Sequence, residues 1–210
     1  MSTTLKQRSR RQILTAIGAA STLVLGACGS SPAVRYYTLQ VPANERAAEP
    51  LAGVAAASRS VQLVSVTVPE VVDRPQLVLR TGDNTLNVNE QARWAEPLKK
   101  SLAGALASEM MQVLGGAPVV LRVSGIEDAA WKLSVDIQRL DAQVGKGVVL
   151  EAVWSLRDKA GTKTISRHSV IKELVMGDAL ETIVAAESRA VAKLAGEIAL
   201  LINEQADARR

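Results

Sequence analysis

One cysteine, one histidine and two closely spaced aspartates are the side chains whose types invite chemistry in this 210-residue chain: Cys28, His168, Asp136 and Asp141. A thiolate needs a neighbouring base to act as a nucleophile, and two carboxylates share acid–base work only when they face one another. With a single His and a single Cys, no two-histidine metal site, Cys/His zinc site or HExxH helix can be assembled. The GxSxG, GxxxxGK and GxGxxG patterns are missing, and Gly145-Lys146-Gly147 lacks the upstream glycine of a phosphate loop. Asp136 and Asp141 fall on neighbouring strand positions at solvent-facing spacing, and His168 reads as a surface or hydrogen-bonded residue. The pattern implies no metal and no cofactor, and it predicts that the chain is not an enzyme.

Cys28 has a more particular setting. Residues 1–27 carry Lys6, Arg8, Arg10 and Arg11 and no acid, followed by the uncharged run Ile13 to Leu25 and the small pair Gly26-Ala27. This is the three-part layout of an export signal. Thirteen residues of helix rise about 20 Å, short of the ~30 Å hydrocarbon core, so a cleaved leader is expected rather than a permanent span. Leu25-Gly26-Ala27-Cys28 resembles the lipobox of bacterial lipoproteins, which implies cleavage before Cys28 and lipidation of its sulfur. Several acyl chains hold a protein stably on a membrane where one does not. Ser9-Arg10-Arg11-Gln12-Ile13-Leu14 is similar to a twin-arginine export motif, with Ile13 where Phe is usual. Gly29, where an Asp would signal retention, favours the outer membrane by resemblance to the bacterial sorting pattern. The expected organisation is a signal peptide over 1–27, a lipidated tether over 28–35 and one domain over 36–206.

Removing the leader also removes the charge. Of 25 Lys and Arg the leader holds four, leaving the rest in balance with 21 Asp and Glu. A nucleic-acid binder needs clustered cations and stacking aromatics. This chain has no Phe, 2 Tyr and 3 Trp, so nucleic acid is excluded as a partner.

The remaining elements follow from periodicity. Tyr36 to Gln40 and Ser60 to Val68 read as strands, the second apolar on parts of both faces and therefore internal to a sheet. Residues 42–59 read as a loop or crossover. Gln76 to Arg80 and Thr85 to Asn89 flank Thr81-Gly82-Asp83-Asn84, whose composition suits the positive φ of a tight hairpin. A helix is predicted from Pro97 to about Leu114, stopped by Gly115-Gly116, with Met111 on its far side. A strand over Val119 to Val123 follows. Clean alternation from Trp131 and again from Val148 predicts an antiparallel meander, whose third strand, Lys163 to Val175, marks an edge or a bulge. A long amphipathic helix from Asp178, its expected N-cap, to about Asn203 covers the sheet. Glu187 interrupts its apolar stripe: either a neighbouring Arg or slippage of the helix satisfies it, or its carboxylate faces a second subunit or a groove. The predicted class is α+β: a largely antiparallel sheet with two main helices packed on it.

Three segments exceed what such a fold demands. Tyr36-Tyr37-Thr38-Leu39, Pro69-Glu70-Val71-Val72-Asp73-Arg74-Pro75-Gln76-Leu77-Val78 and Arg93-Trp94-Ala95-Glu96-Pro97-Leu98 together resemble the signature of the ABC-type transport auxiliary lipoproteins, the PqiC/YmbA family. Val71-Val72 stands where that pattern commonly has an aromatic or Leu. The resemblance implies a periplasm-facing lipoprotein tethered to the outer membrane. Its implied role is a non-enzymatic partner of an MCE-domain system that moves phospholipid or related molecules between membranes, working as a homo-oligomer. Within the motifs, Asp73 and Arg74 either pair with Arg93 and Glu96 to fix two loops, or Arg74, Arg93 and Trp94 form a recognition edge. The competing reading is an outer-membrane lipoprotein that regulates or scaffolds another envelope machine, such as cell-wall synthesis. More distant is a lipid-modifying hydrolase built on Asp136 and Asp141.

Overall fold

The computed structural model describes residues 32–40, 56–121, 129–175 and 177–208. The chain divides into two units, Met1–Ala33 and Val34–Arg210, the first almost wholly outside the described residues. Cys28, the leader, most of the expected 42–59 loop and the end of the Val119 to Val123 strand also lie outside them. The second unit is α+β, in the order β1 (Arg35–Tyr37), a 3-10 turn (Ala56–Arg59), β2 (Val61–Thr67), β3 (Gln76–Gly82), β4 (Thr85–Trp94), α1 (Leu98–Val113), β5 (Val119–Leu121), β6 (Trp131–Gln143), β7 (Gly147–Asp158), β8 (Thr164–Leu174) and α2 (Leu180–Asp207).

The strands form two sheets rather than one. Five lie in the order β5-β2-β6-β7-β8, and three in the order β1-β4-β3. The long pairings, β6/β7, β7/β8 and β3/β4, are antiparallel; β1/β4, β2/β5 and β2/β6 are parallel and shorter. Alternation explains the large sheet: Trp131, Leu133, Val135 and Ile137 of β6 and Val148, Leu150, Ala152, Trp154 and Leu156 of β7 are all buried. Beneath them lies α2, whose Val184, Val191, Leu194, Ile198 and Ile202 are buried in turn. Helix α1 packs beside α2 and against β2 and β5.

Strand β2 is internal, between β5 and β6. Its two-faced apolar pattern has a specific cause: Leu63 pairs with Leu133 but Ser65 with Ser134, so Val64 is an extra, bulged residue. The bulge transfers the inward set from Val61 and Leu63 to Val66. Strand β8 is an edge in unbroken register with β7, so it carries no bulge.

Two local expectations are corrected. The hairpin at Thr81 to Asn84 uses no positive φ; its register shift between Arg80 and Gly82 absorbs the turn instead. Helix α2 is capped by Ala179 without a side-chain bond, one residue past Asp178, which remains exposed beside Gly145. Gly115 and Gly116, at φ 65 and 84, do end α1 as a stop signal requires.

Candidate functional site

The three motif segments, separated by dozens of residues in sequence, meet in the small sheet. Strand β1 runs parallel to the end of β4, with Tyr36 opposite Arg93 and Tyr37 opposite Trp94. Gln76 of β3 faces Arg93 from the other side, yet Leu77 faces Asn89, so Glu90 to Ala92 swell β4 and turn its last residues. Backbone bonds fasten the junction: Trp94 N donates to Pro75 O at 2.7 Å, and Ala95 N to Tyr37 O at 2.9 Å. A tight turn closes the second motif, with Val72 N and Asp73 N both donating to Pro69 O. Tyr37, Leu39, Val72, Ala92, Trp94 and Leu98 are buried there, so Val72 fills its place as a core residue.

The charged motif residues do not pair as one sequence reading expected. Asp73 meets Lys99 Nζ at 3.0 Å, Glu96 meets Lys100 Nζ at 3.1 Å and Arg93 meets Glu90 at 3.5 Å. All three pairs reach solvent, where an ion pair contributes only about 0.2–1 kcal/mol. Backbone bonds and the Trp94 side chain, not salt bridges between Asp73, Arg74, Arg93 and Glu96, hold the two loops. Trp94 is 6% exposed and therefore cannot stand on a recognition edge of the isolated chain. Arg93 is half-buried, and Arg74 is exposed with no ion pair to a described residue.

Clefts open on both sides of the segment that leaves β1. One, of about 400 Å³, lies toward α1 and is lined by Thr38, Gln40, Glu96, Ser101, Gly104 and Ser108. The other, of about 670 Å³, lies toward α2 and includes Arg35, Tyr36, Glu181, Ala185 and Ser188. The strip between them is tied to α2: Gln40 N donates to Ser188 Oγ at 3.1 Å, and Tyr37 OH and Arg35 both reach Glu181 Oε1 at 3.2 Å. The backbone amide of Glu181 at the helix start, together with Tyr37 and Arg35, holds that carboxyl below its ordinary range. Burial pushes the Tyr37 hydroxyl up. The first cleft is rich in hydroxyls and bordered by Glu96; it suits a polar peptide surface better than a greasy tail.

The residues singled out for catalysis are spread apart. Asp136 and Asp141 sit five residues apart on β6, about 16 Å along an extended strand, beyond the ~5–9.5 Å of cooperating carboxylates. Asp136 accepts a short hydrogen bond from Thr67. Asp141 joins the two sheets: Arg80 of β3 grips both its oxygens, at 2.9 and 3.0 Å, and Arg139 adds a third bond at 2.6 Å. Burial pushes the Asp141 carboxyl up, but the two guanidinium groups outweigh it and hold it below its ordinary value. His168 is hydrogen-bonded to Glu151 at 2.8 Å across β7 and β8. Among the described residues no group of three His, Cys, Asp or Glu is placed to hold a metal, and no helix is long and apolar enough to cross a membrane.

Among the described residues no arginine pairs with Glu187. It is 5% exposed, its Oε2 has no hydrogen-bond partner, and burial alone pushes its carboxyl up to about 8. Sequence periodicity flagged the position but not this outcome. The cleft residues Ser101, Gly104, Ser108 and Ser188 escaped sequence reading altogether, because small residues on a helix carry no signal until a neighbouring segment lies across them.

The family model for the ABC-type transport auxiliary lipoprotein component matches residues 37–199. Two crystal structures share the fold at TM-score 0.66. An uncharacterized protein, 19% identical, is matched over 81% of this chain and 99% of its own. A protein from Xanthomonas campestris, 18% identical, is matched over 84% of this chain and 100% of its own. No curated protein matches the chain significantly.

Proposed function

The chain belongs to the ABC-type transport auxiliary lipoprotein component family, and from that premise we propose that it is a non-enzymatic adaptor of an MCE-type intermembrane lipid transporter. In this reading the leader is cleaved and Cys28 is lipidated. The body then hangs from the outer membrane into the periplasm, as a homo-oligomer contacting an MCE-domain protein that carries phospholipid or a related molecule. The observation that carries the reading is the junction of the three motif segments. Their buried residues lock together, and their outer rim offers Arg74, Arg93, Asp73 and Glu96 beside a hydroxyl-lined cleft. Such a rim, rigid and without paired catalytic groups, fits recognition of another protein.

In-cell crosslinking followed by mass spectrometry tests it, with photo-crosslinking residues placed at Arg74 and in the cleft at Ser108. Recovery of an MCE-domain protein supports the reading; recovery of a cell-wall synthase alone overturns it. The anchor has its own test: Cys28→Ser must release the protein from the membrane fraction, and a palmitate label on the wild type must vanish in that variant.

A further inference from the structure

The face of the five-stranded sheet turned away from the helices carries a row of residues that neither the family assignment nor the adaptor reading uses. Gln62, Lys132, Arg157 and Thr164 stand in register across β2, β6, β7 and β8: Gln62 opposite Lys132, Lys132 opposite Arg157, and Arg157 opposite Thr164. Two residues further along the same face Ser134 stands opposite Ser155. These six line a concavity of about 530 Å³, which the Val64 bulge helps to shape.

The arrangement is costly as it stands. Directly opposed residues of an antiparallel pair bring their Cβ atoms to about 4.5–5.5 Å, and like charges in that position repel. Lys132 and Arg157 occupy such a pair, and among the described residues neither has a carboxylate or hydrogen-bond partner. The nearest acid on this face of β6 is Asp136, four residues or about 13 Å along the strand and already bonded by Thr67. That exceeds the ~8 Å screening length at physiological ionic strength. Every polar side chain around the concavity can donate and none is an acid: one ammonium, one guanidinium, three hydroxyls and one amide. The contrast with Arg80 and Arg139, which converge on Asp141, is direct; there the protein supplies the anion itself.

We propose that this concavity binds a phosphate-bearing anion, held between Lys132 and Arg157 with Ser134, Ser155 and Thr164 completing its hydrogen bonds. Planar guanidinium and mobile ammonium are the two side chains that suit a tetrahedral oxyanion. Bound phosphate relieves the repulsion between them, so occupancy stabilises the fold. The same chemistry is offered by free phosphate and by the phosphodiester of a lipid headgroup.

The test uses the protein purified from cells expressing the full chain, in a nonionic detergent. Thermal unfolding is followed against inorganic phosphate, and separately against dihexanoylphosphatidylglycerol below its micelle concentration, each at ionic strength fixed with chloride. A rise in Tm with phosphate but not with the lipid assigns the site to free phosphate; a rise with both assigns it to a headgroup. In either case the double variant Lys132→Gln/Arg157→Gln must lose the response, with affinity falling roughly tenfold or more, while Lys146→Gln keeps it. The variant must also be no less stable than wild type without anion, since it removes a repulsion. No phosphate-specific rise, or a rise that survives in the double variant, overturns the proposal.

Discussion

Glu187→Gln should abolish most of the pH dependence of this fold's stability between mildly acidic and mildly alkaline conditions. The carboxyl is buried within the apolar face of α2 without a cation, and burial raises it from 4.5 to about 8. A group protonated in the fold but ionised in the unfolded chain favours folding fully below 4.5, and that advantage is lost as pH rises toward about 8. Each pH unit within that window costs about 1.4 kcal/mol. The whole interval therefore amounts to on the order of 5 kcal/mol, comparable with the ~5–15 kcal/mol that holds a domain of this kind together. Glutamine keeps the shape and one carbonyl oxygen but never ionises.

Urea denaturation of both proteins at pH 5, 6.5 and 8.5 measures this directly. Near pH 5 the two should differ by no more than about 1 kcal/mol, because Glu187 is neutral in the fold and only partly ionised in the unfolded chain. By pH 8.5 the variant should be more stable by several kcal/mol, with a difference that grows by about 1.4 kcal/mol per pH unit until it levels off near the folded value of about 8. Other titrating groups cancel in the comparison. Parallel curves would refute the reasoning, since they would mean that Glu187 finds a cation or water in solution. Glu187→Leu extends the test: it removes an unsatisfied polar atom as well, so it should gain about 1–3 kcal/mol even at pH 5.

Four further substitutions, at three positions, probe the architecture. Gly147→Ala places a Cβ 2.5 Å from the carbonyl oxygen of Glu173 and should cost about 1–3 kcal/mol in thermal unfolding; an unchanged Tm would show that the start of β7 can yield from the end of β8. Gly104→Ala meets nothing within 4 Å in the middle of α1 and should stabilise by up to about 1 kcal/mol. Gly104→Trp should fill the first cleft and reduce partner crosslinking without unfolding the protein. Arg74→Glu should stay within about 0.5 kcal/mol of wild type yet lose the crosslinked partner, because the exposed guanidinium has no ion pair to a described residue; unfolding instead would make Arg74 a structural residue.

What the sequence made legible is what one covered face makes legible. Strands β6 and β7 alternate because helices cover one side of them, so period-two reading found them and their inward residues. Helix boundaries at Gly115-Gly116 were equally plain, because left-handed backbone selects glycine. The parallel pairings were not readable. Strand β1 has three residues and its partner β4 ends more than fifty residues later, so nothing local specifies that Tyr37 lies against Trp94. The same gap misdirected the motif reading. A tryptophan beside an arginine reads equally well as an interface anchor or as core, and the choice is made by β1 and the Pro75 carbonyl arriving from elsewhere to cover it. Once Trp94 is inside, the signature divides by burial rather than by residue type. Its apolar members hold the small sheet together, and under the proposed function recognition falls to Arg74, Arg93 and the cleft beside Glu96. A substitution inside the signature should therefore act on folding or on binding according to its exposure.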